Sequence, residues 1–148
     1  MQKILTIYFS GSISVGTYLK ASEGECIITH ILSISETDHE EYEREIQAVV
    51  QYIGTPSEYD DYEPVFDFDD IVENCDDDPD DELEKLGEVT DLDGVCLLTT
   101  DILSVTYQDG DLIGEYEGTL FVPWSEEELK SAKKEYLAQR FNVVNGQN

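Results

Sequence analysis

Residues 58–93 read EYDDYEPVFDFDDIVENCDDDPDDELEKLGEVTDLD. They contain 18 Asp or Glu residues and one base, Lys85, so they carry a net charge of −17 out of −27 for the whole chain. Aromatic and aliphatic residues are interleaved with the carboxylates, whereas a disordered polyacidic tail is poor in such residues. The pattern favours a folded acidic surface. We predict an acidic insertion or surface segment over residues 55–93, called the acidic segment below.

The composition of the whole chain excludes several classes of protein. With 148 residues, 40% of them hydrophobic, the chain is expected to form a single α+β domain over residues 1–148 with a sizeable core. Its 35 acids and 8 bases repel nucleic acids and anionic membrane surfaces, so a partner with a basic surface is expected instead. No apolar run reaches the ~18–20 residues of a membrane span. We therefore expect a cytoplasmic protein, or one in the host cytoplasm if it is phage-encoded.

The sequence before the acidic segment predicts strands and one helix. Three strands, expected to form an antiparallel meander with the first in a central position, cover Lys3–Phe9, Ile13–Leu19 and Cys26–Ile34. Thr37 and Glu40 have the spacing of a capping box, and apolar residues follow at helical spacing up to Ile53. These signals predict a helix that ends near Gly54.

The acidic segment and the sequence after it predict short helices, further strands and a last helix. The short helices are expected at 67–74 and 78–86, with Asp67 and Asp78 as caps. Four strand candidates follow at Val95–Thr99, Ile102–Tyr107, Asp111–Tyr116 and Thr119–Val122. Asp109-Gly110 is a hairpin signal, and Ser125 with Glu128 forms a second capping box. Residues 143–148 are expected to be a frayed tail, and no internal repeat is apparent.

The predicted fold class is therefore α+β, a mostly antiparallel sheet with helices on one side. Its order is β-β-β-α, an insertion of short helices, then three or four strands and a final helix.

No motif in the sequence indicates an enzyme, a cofactor or a metal site. The Asp76 cluster lacks the Gly and Glu that a calcium-binding EF-hand loop needs, in either register. His30 and His39 are distant from any cysteine pair, which excludes a zinc spacing. Cys26 with His30 is the one pair that the sequence leaves open for nucleophilic catalysis. The odd number of cysteines and the absence of a C-x-x-C motif predict free thiols in a reducing compartment.

The acidic segment is the predicted partner-binding site. Carboxylates at helical i,i+3 and i,i+4 spacing lie ~5–6 Å apart, which approximates a series of nucleic-acid phosphates. Tyrosines are enriched at binding hot spots and are the expected anchors. The candidate contacts are Tyr59, Asp60, Asp61, Tyr62, Glu63, Asp67, Asp69, Asp70, Asp76, Asp77, Asp78, Asp80 and Asp81.

In composition and size the chain resembles small acidic phage proteins that block CRISPR effectors, restriction enzymes or DNA glycosylases. That resemblance implies an inhibitor that mimics DNA and binds a basic nucleic-acid-binding protein, with anti-CRISPR or anti-restriction activity. Two alternatives remain at this point. One is an immunity protein that neutralises a nuclease toxin. The other is a generic acidic protein adapted for solvation.

Overall fold

The computed structural model describes residues 1–55, 64–73, 83 and 85–144, which fall into two compact units. Unit 1 comprises Met1–Glu58 and Pro123–Asn148, and unit 2 comprises Tyr59–Val122. Mostly antiparallel sheet with one C-terminal helix makes up the described residues, consistent with the predicted α+β class. The prediction of a single domain over residues 1–148 stays a prediction.

Unit 1 contains a four-stranded antiparallel sheet and the helix. Its strands, which lie in the order β1-β4-β3-β2, are β1 (Gln2–Phe9), β2 (Tyr18–Ala21), β3 (Gly24–Ser35) and β4 (Arg44–Tyr52). The helix α1 spans Glu126–Val144. Its capping box is formed as predicted, because the Glu128 N–H donates to Ser125 Oγ at 3.2 Å.

Unit 2 contains a second four-stranded antiparallel sheet. Its strands, which lie in the order β5-β8-β7-β6, are β5 (Val65–Val72), β6 (Val89–Leu92), β7 (Val95–Gln108) and β8 (Asp111–Leu120). Two Asp-Gly turns close its hairpins. Asp109 and Gly110 have φ angles of 52° and 87°, and Asp93 and Gly94 have 50° and 87°, as a type I′ turn requires.

The two sheets are internal repeats of one topology. The Gly16 N–H donates to the Ile28 carbonyl at 2.8 Å, and 71 residues later the Gly87 N–H donates to the Thr99 carbonyl at 2.8 Å. The hydroxyl of Thr29 donates to a β4 carbonyl at 3.2 Å, and the hydroxyl of Thr100 donates to a β8 carbonyl at 3.1 Å. The expectation of no internal repeat is therefore wrong.

A short sequence similarity accompanies this structural repeat. Residues 29–35 (THILSIS) correspond to residues 100–106 (TDILSVT), again 71 positions apart. The pairing register shifts twice in each segment, at equivalent places. The shift between Ile28 and His30 in β3 corresponds to the one between Thr99 and Asp101 in β7. The second shift, which follows Ile31 in β3, follows Ile102 in β7. Equivalent bulges re-aim the side chains of β3 and β7 in the same way, so positions in the two sheets can be compared one by one.

Each sheet has two faces, which we name from the residue rows that cross it. The front face carries the row Gln2, Gln51, Ile27 and Tyr18 in unit 1, and the row Val65, Thr119, Leu98 and Val89 in unit 2. The back face carries much of the apolar core. In unit 1 it includes Ile28, Ile46 and Val50, and in unit 2 the stacked rings of Phe68 and Tyr116, whose centroids are 5.0 Å apart.

The predicted helix over residues 37–53 is wrong, because Arg44–Tyr52 forms β4. Ile46, Ala48 and Val50 alternate onto the back face, and Val49 points to the front, so period 2 prevails over the apparent helical spacing. Thr37 Oγ1 accepts from the His39 N–H at 3.1 Å, so the threonine hydroxyl bonds a nearby backbone N–H outside any helix.

Two other strand and helix predictions need correction, and two more fall partly outside the described residues. β1 is an edge strand paired with β4, so the meander with a central first strand is wrong. Residues 67–72 belong to β5, so Asp67 caps no helix. The helix predicted at 78–86 lies mostly outside the described residues, and residues 85–88 form a turn. The frayed tail over residues 143–148 stays a prediction, since α1 continues to Val144 and residues 145–148 lie outside the described residues.

Candidate functional site

The front face of unit 2 brings five carboxylates together. Asp67 on β5 lies opposite Glu117 on β8, and Glu117 lies opposite Asp101 on β7. In the next row Asp69 lies opposite Glu115. Directly opposite side chains in a sheet have Cβ atoms about 4.5–5.5 Å apart. We call these five residues the acidic face.

Like charges directly opposite one another destabilise a sheet, so this arrangement works against folding. Asp67, Asp69, Asp101 and Glu115 are exposed, and Glu117 is half-buried. The Ser104 hydroxyl donates to Glu115 Oε2 at 3.0 Å, which adds a donor but no positive charge. In unit 1, by contrast, Lys3 pairs with Glu23 and Lys133 pairs with Glu25.

Unit 1 shows that the scaffold does not require these carboxylates. The positions equivalent to Asp67, Glu117 and Asp101 are Ile4, Val49 and His30, which form one row of the front face. The positions equivalent to Asp69 and Glu115 are Thr6 and Gln47, where the Gln47 side chain donates to Thr6 Oγ1 at 2.6 Å. The same topology therefore forms without carboxylates at these five positions, and the acidic face is an addition specific to unit 2.

The charge of the chain follows the same division. Unit 2 has 22 acidic residues and one base, a net charge of −21, whereas unit 1 has 13 acids and seven bases, a net charge of −6. The predicted acidic segment accounts for most of the unit 2 charge. β7, β8 and the turn between them add the remainder, and the two strands place part of it on the sheet surface.

The structure places only some of the predicted contacts on this surface. Asp67 and Asp69 belong to the acidic face, whereas Asp70 pairs with Gly114 on the back face and is half-buried. The following predicted contacts lie outside the described residues: Tyr59, Asp60, Asp61, Tyr62, Glu63, Asp76, Asp77, Asp78, Asp80 and Asp81.

The sequence-based prediction missed Asp101, Glu115 and Glu117, because they lie beyond the acidic segment. The alternation of Glu115, Tyr116 and Glu117 was the available signal. In a strand it places both glutamates on one face and the tyrosine on the other.

The geometry excludes nucleophilic catalysis by Cys26 and His30. Cys26 pairs with Tyr52 on the back face, whereas His30 pairs with Val49 on the front face, so the two side chains point to opposite sides of β3. Burial lowers the pKa of His30, which is half-buried beside the Thr29 hydroxyl. No cluster of three or more metal-ligating side chains occurs within the described residues.

Cys26 and Cys96 are buried free thiols, and Cys75 lies outside the described residues. Burial raises the pKa of Cys26 to about 11, and burial together with Asp91 raises that of Cys96 to about 12. At pH 8 both are therefore expected to stay protonated and inert in the folded chain.

Thiol labelling of a Cys75→Ser variant tests this placement. We expect the reagent to react rapidly with no cysteine of the native protein and with both cysteines of the denatured protein. Rapid native labelling would contradict the buried placement.

Comparison with protein-family models, with curated proteins and with solved structures finds no match for the chain. Across the described ranges, no helix is both long enough and apolar enough to cross a bilayer. The function must therefore be argued from the acidic face itself.

Proposed function

We propose that this protein is an acidic interaction protein that occupies the nucleic-acid-binding surface of a basic partner protein and thereby inhibits it. The observation that carries the proposal is the acidic face, since five carboxylates stand at sheet positions where the equivalent residues of unit 1 are not carboxylates. An arrangement that opposes folding and is absent from its own repeat favours a role in binding.

The spacing of the acidic face suits a surface that binds phosphates. Alternate residues of a strand, such as Asp67 and Asp69, are about 6.7 Å apart along the strand. That separation is close to two phosphate steps of about 3.4 Å each along the axis of a DNA strand. Carboxylates on neighbouring strands supply further charges, so Lys and Arg side chains arranged for phosphates would find carboxylate oxygens instead.

The distribution of charge disfavours a generic solvation role. A protein made acidic only for solvation would carry its charge evenly, whereas unit 2 has a net charge of −21 and unit 1 of −6. Binding to a basic partner explains the asymmetry. A CRISPR effector, a restriction enzyme or a nuclease toxin would each supply such a partner, and an immunity protein against a toxin would use the same surface.

The test of this proposal is capture from a cell lysate at low salt, followed by elution with rising salt. Proteins that bind through the acidic face should elute over a narrow range of salt concentration, because association between opposite charges weakens as salt screens them. The expected eluate is enriched in nucleic-acid-binding proteins. If the retained proteins elute independently of salt, or bind no nucleic acid, the proposal fails.

A further inference from the structure

The front faces of the two units differ in one further respect, which is what covers their first row. In unit 1 the row Gln2, Gln51, Ile27 and Tyr18 is buried throughout, with exposed fractions of 9% or less. In unit 2 the equivalent row is more accessible, since Val65 is 54% exposed, Thr119 is exposed, and Leu98 and Val89 are half-buried.

Helix α1 and the residues leading into it cover the row in unit 1. Leu129 packs with Tyr18 and Ile27, and Ala132 and Tyr136 join the same cluster. These three helix residues recur at i, i+3 and i+7, which places them on one side of the helix. The side chain of Gln51 donates to the Trp124 carbonyl at 2.7 Å and accepts from its N–H at 2.9 Å, which fixes the entry of the helix.

The same helix also shows how a base is placed beside this face. Lys133 lies next to Ala132 in α1 and donates to Glu25 Oε2 at 2.8 Å, with its Nζ 5.3 Å from the centroid of the Tyr18 ring. Apolar contacts in the row and a lysine contact beside it thus come from one helix. Unit 1 therefore shows how a helix packs on the front face of this sheet topology.

In unit 2 the equivalent row is apolar except at Thr119 and borders the acidic face. Val65, Leu98 and Val89 stand where unit 1 has Gln2, Ile27 and Tyr18. The next row along the strands is Asp67, Glu117 and Asp101. A helix about 10–12 Å in diameter that lies on the apolar row would bring its flanking side chains over these carboxylates.

We propose that the front face of unit 2 is the docking site of a basic amphipathic helix of the partner protein. The helix lies on Val65, Leu98 and Val89 as α1 lies on the equivalent row of unit 1, and its Lys and Arg side chains bind the acidic face. This inference rests on the proposed function for the charge of the partner, and it adds the secondary structure and apolar contacts of the segment that binds.

A second copy of this chain is disfavoured as the occupant. Its α1 carries four bases, but that helix is already seated on unit 1. Two chains with a net charge of −27 each also repel one another. A basic partner has the complementary charge, and the helix of the partner is therefore the occupant that the surface fits.

Two synthetic 18-residue peptides of identical composition test this inference. One has Leu at i, i+3, i+4 and i+7 with Lys elsewhere, so that its helix is amphipathic, and the other has the same residues in scrambled order. We expect the amphipathic peptide to bind the wild-type chain several-fold more tightly in fluorescence anisotropy at physiological salt. Equal affinities would show that charge alone drives binding, and would overturn the inference while leaving the proposed function standing. Binding of neither peptide at low salt would count against both.

Two valine variants locate the site. Val65→Ser removes an exposed apolar side chain from the front row, whereas Val105→Ser removes one from the back face of the same sheet, where Val105 is 55% exposed. We expect Val65→Ser to weaken the amphipathic peptide roughly five-fold. Val105→Ser should bind the amphipathic peptide as tightly as the wild type does. The affinity of the scrambled peptide should be unchanged by Val65→Ser. Equal losses of affinity in both variants would overturn the inference. So would sedimentation that shows the wild type as a dimer and the Val65→Ser variant as a monomer.

Discussion

Replacing the five carboxylates of the acidic face together by their amides is expected to weaken partner binding on the order of 100-fold. Each exposed ion pair contributes only ~0–1 kcal/mol, so no single carboxylate should dominate and the loss should accumulate over the set. The fold should persist and resist denaturation better, because opposed like charges on β5, β7 and β8 are removed. Titration calorimetry with the captured partner and thermal unfolding measure the two effects.

The matched control removes the same number of charges from unit 1. Its five substitutions, all at exposed carboxylates, are Glu36→Gln, Asp38→Asn, Glu40→Gln, Glu41→Gln and Glu135→Gln. Since this variant has the same net charge as the first, any difference between them reports on position and not on total charge. The control should bind nearly as tightly as the wild type. Equal losses in both variants would mean that the acidic face is not the interface.

Leu129→Ala is expected to have the largest effect on stability, about 2–4 kcal/mol of unfolding free energy. The Leu129 side chain is 1% exposed and packs against Tyr18 and Ile27, so its removal leaves a cavity between α1 and the sheet of unit 1. Urea unfolding followed by the fluorescence of Trp124, which belongs to the same cluster, measures the change.

Leu137→Ala is the control for this prediction. It makes the same chemical change in the same helix, but Leu137 is 44% exposed. The expected loss is within about 0.5 kcal/mol, as for most surface substitutions. Similar losses of unfolding free energy in the two variants would show that Leu129 does not anchor α1 on the sheet. The packing of α1 could then no longer serve as the model for a helix docked on unit 2.

Local signals in the sequence predicted several elements because local chemistry determines them. The capping box of Ser125 and Glu128 predicted α1, and Asp109-Gly110 predicted the hairpin between β7 and β8. The identical dipeptide Asp93-Gly94 also forms a type I′ turn, but Asp93 is the last residue of the acidic segment and the first strand predicted after it begins at Val95. β6 was missed for that reason.

The pairing of strands and the internal repeat could not be predicted in the same way. Equivalent residues are 63 positions apart just before β1 and β5, at Met1 and Pro64. They are 71 apart in β3 and β7, at Ile28 and Thr99, and 68 apart at the ends of β4 and β8, at Tyr52 and Leu120. Loops of different length break any fixed period, so a search for regular repetition fails. The acidic face was missed in part because it is assembled from three strands. The hairpin turn joins β7 to β8, but only long-range pairing brings β5 against β8.

Competition with nucleic acid tests the central claim most directly. The captured partner is loaded with a labelled nucleic acid that it binds and is then titrated with this protein, while fluorescence anisotropy reports the bound fraction. The wild type and the unit 1 control should displace the nucleic acid completely, and the acidic-face variant should require on the order of 100-fold more protein. A partner that keeps its nucleic acid at saturating wild-type protein would contradict the claim.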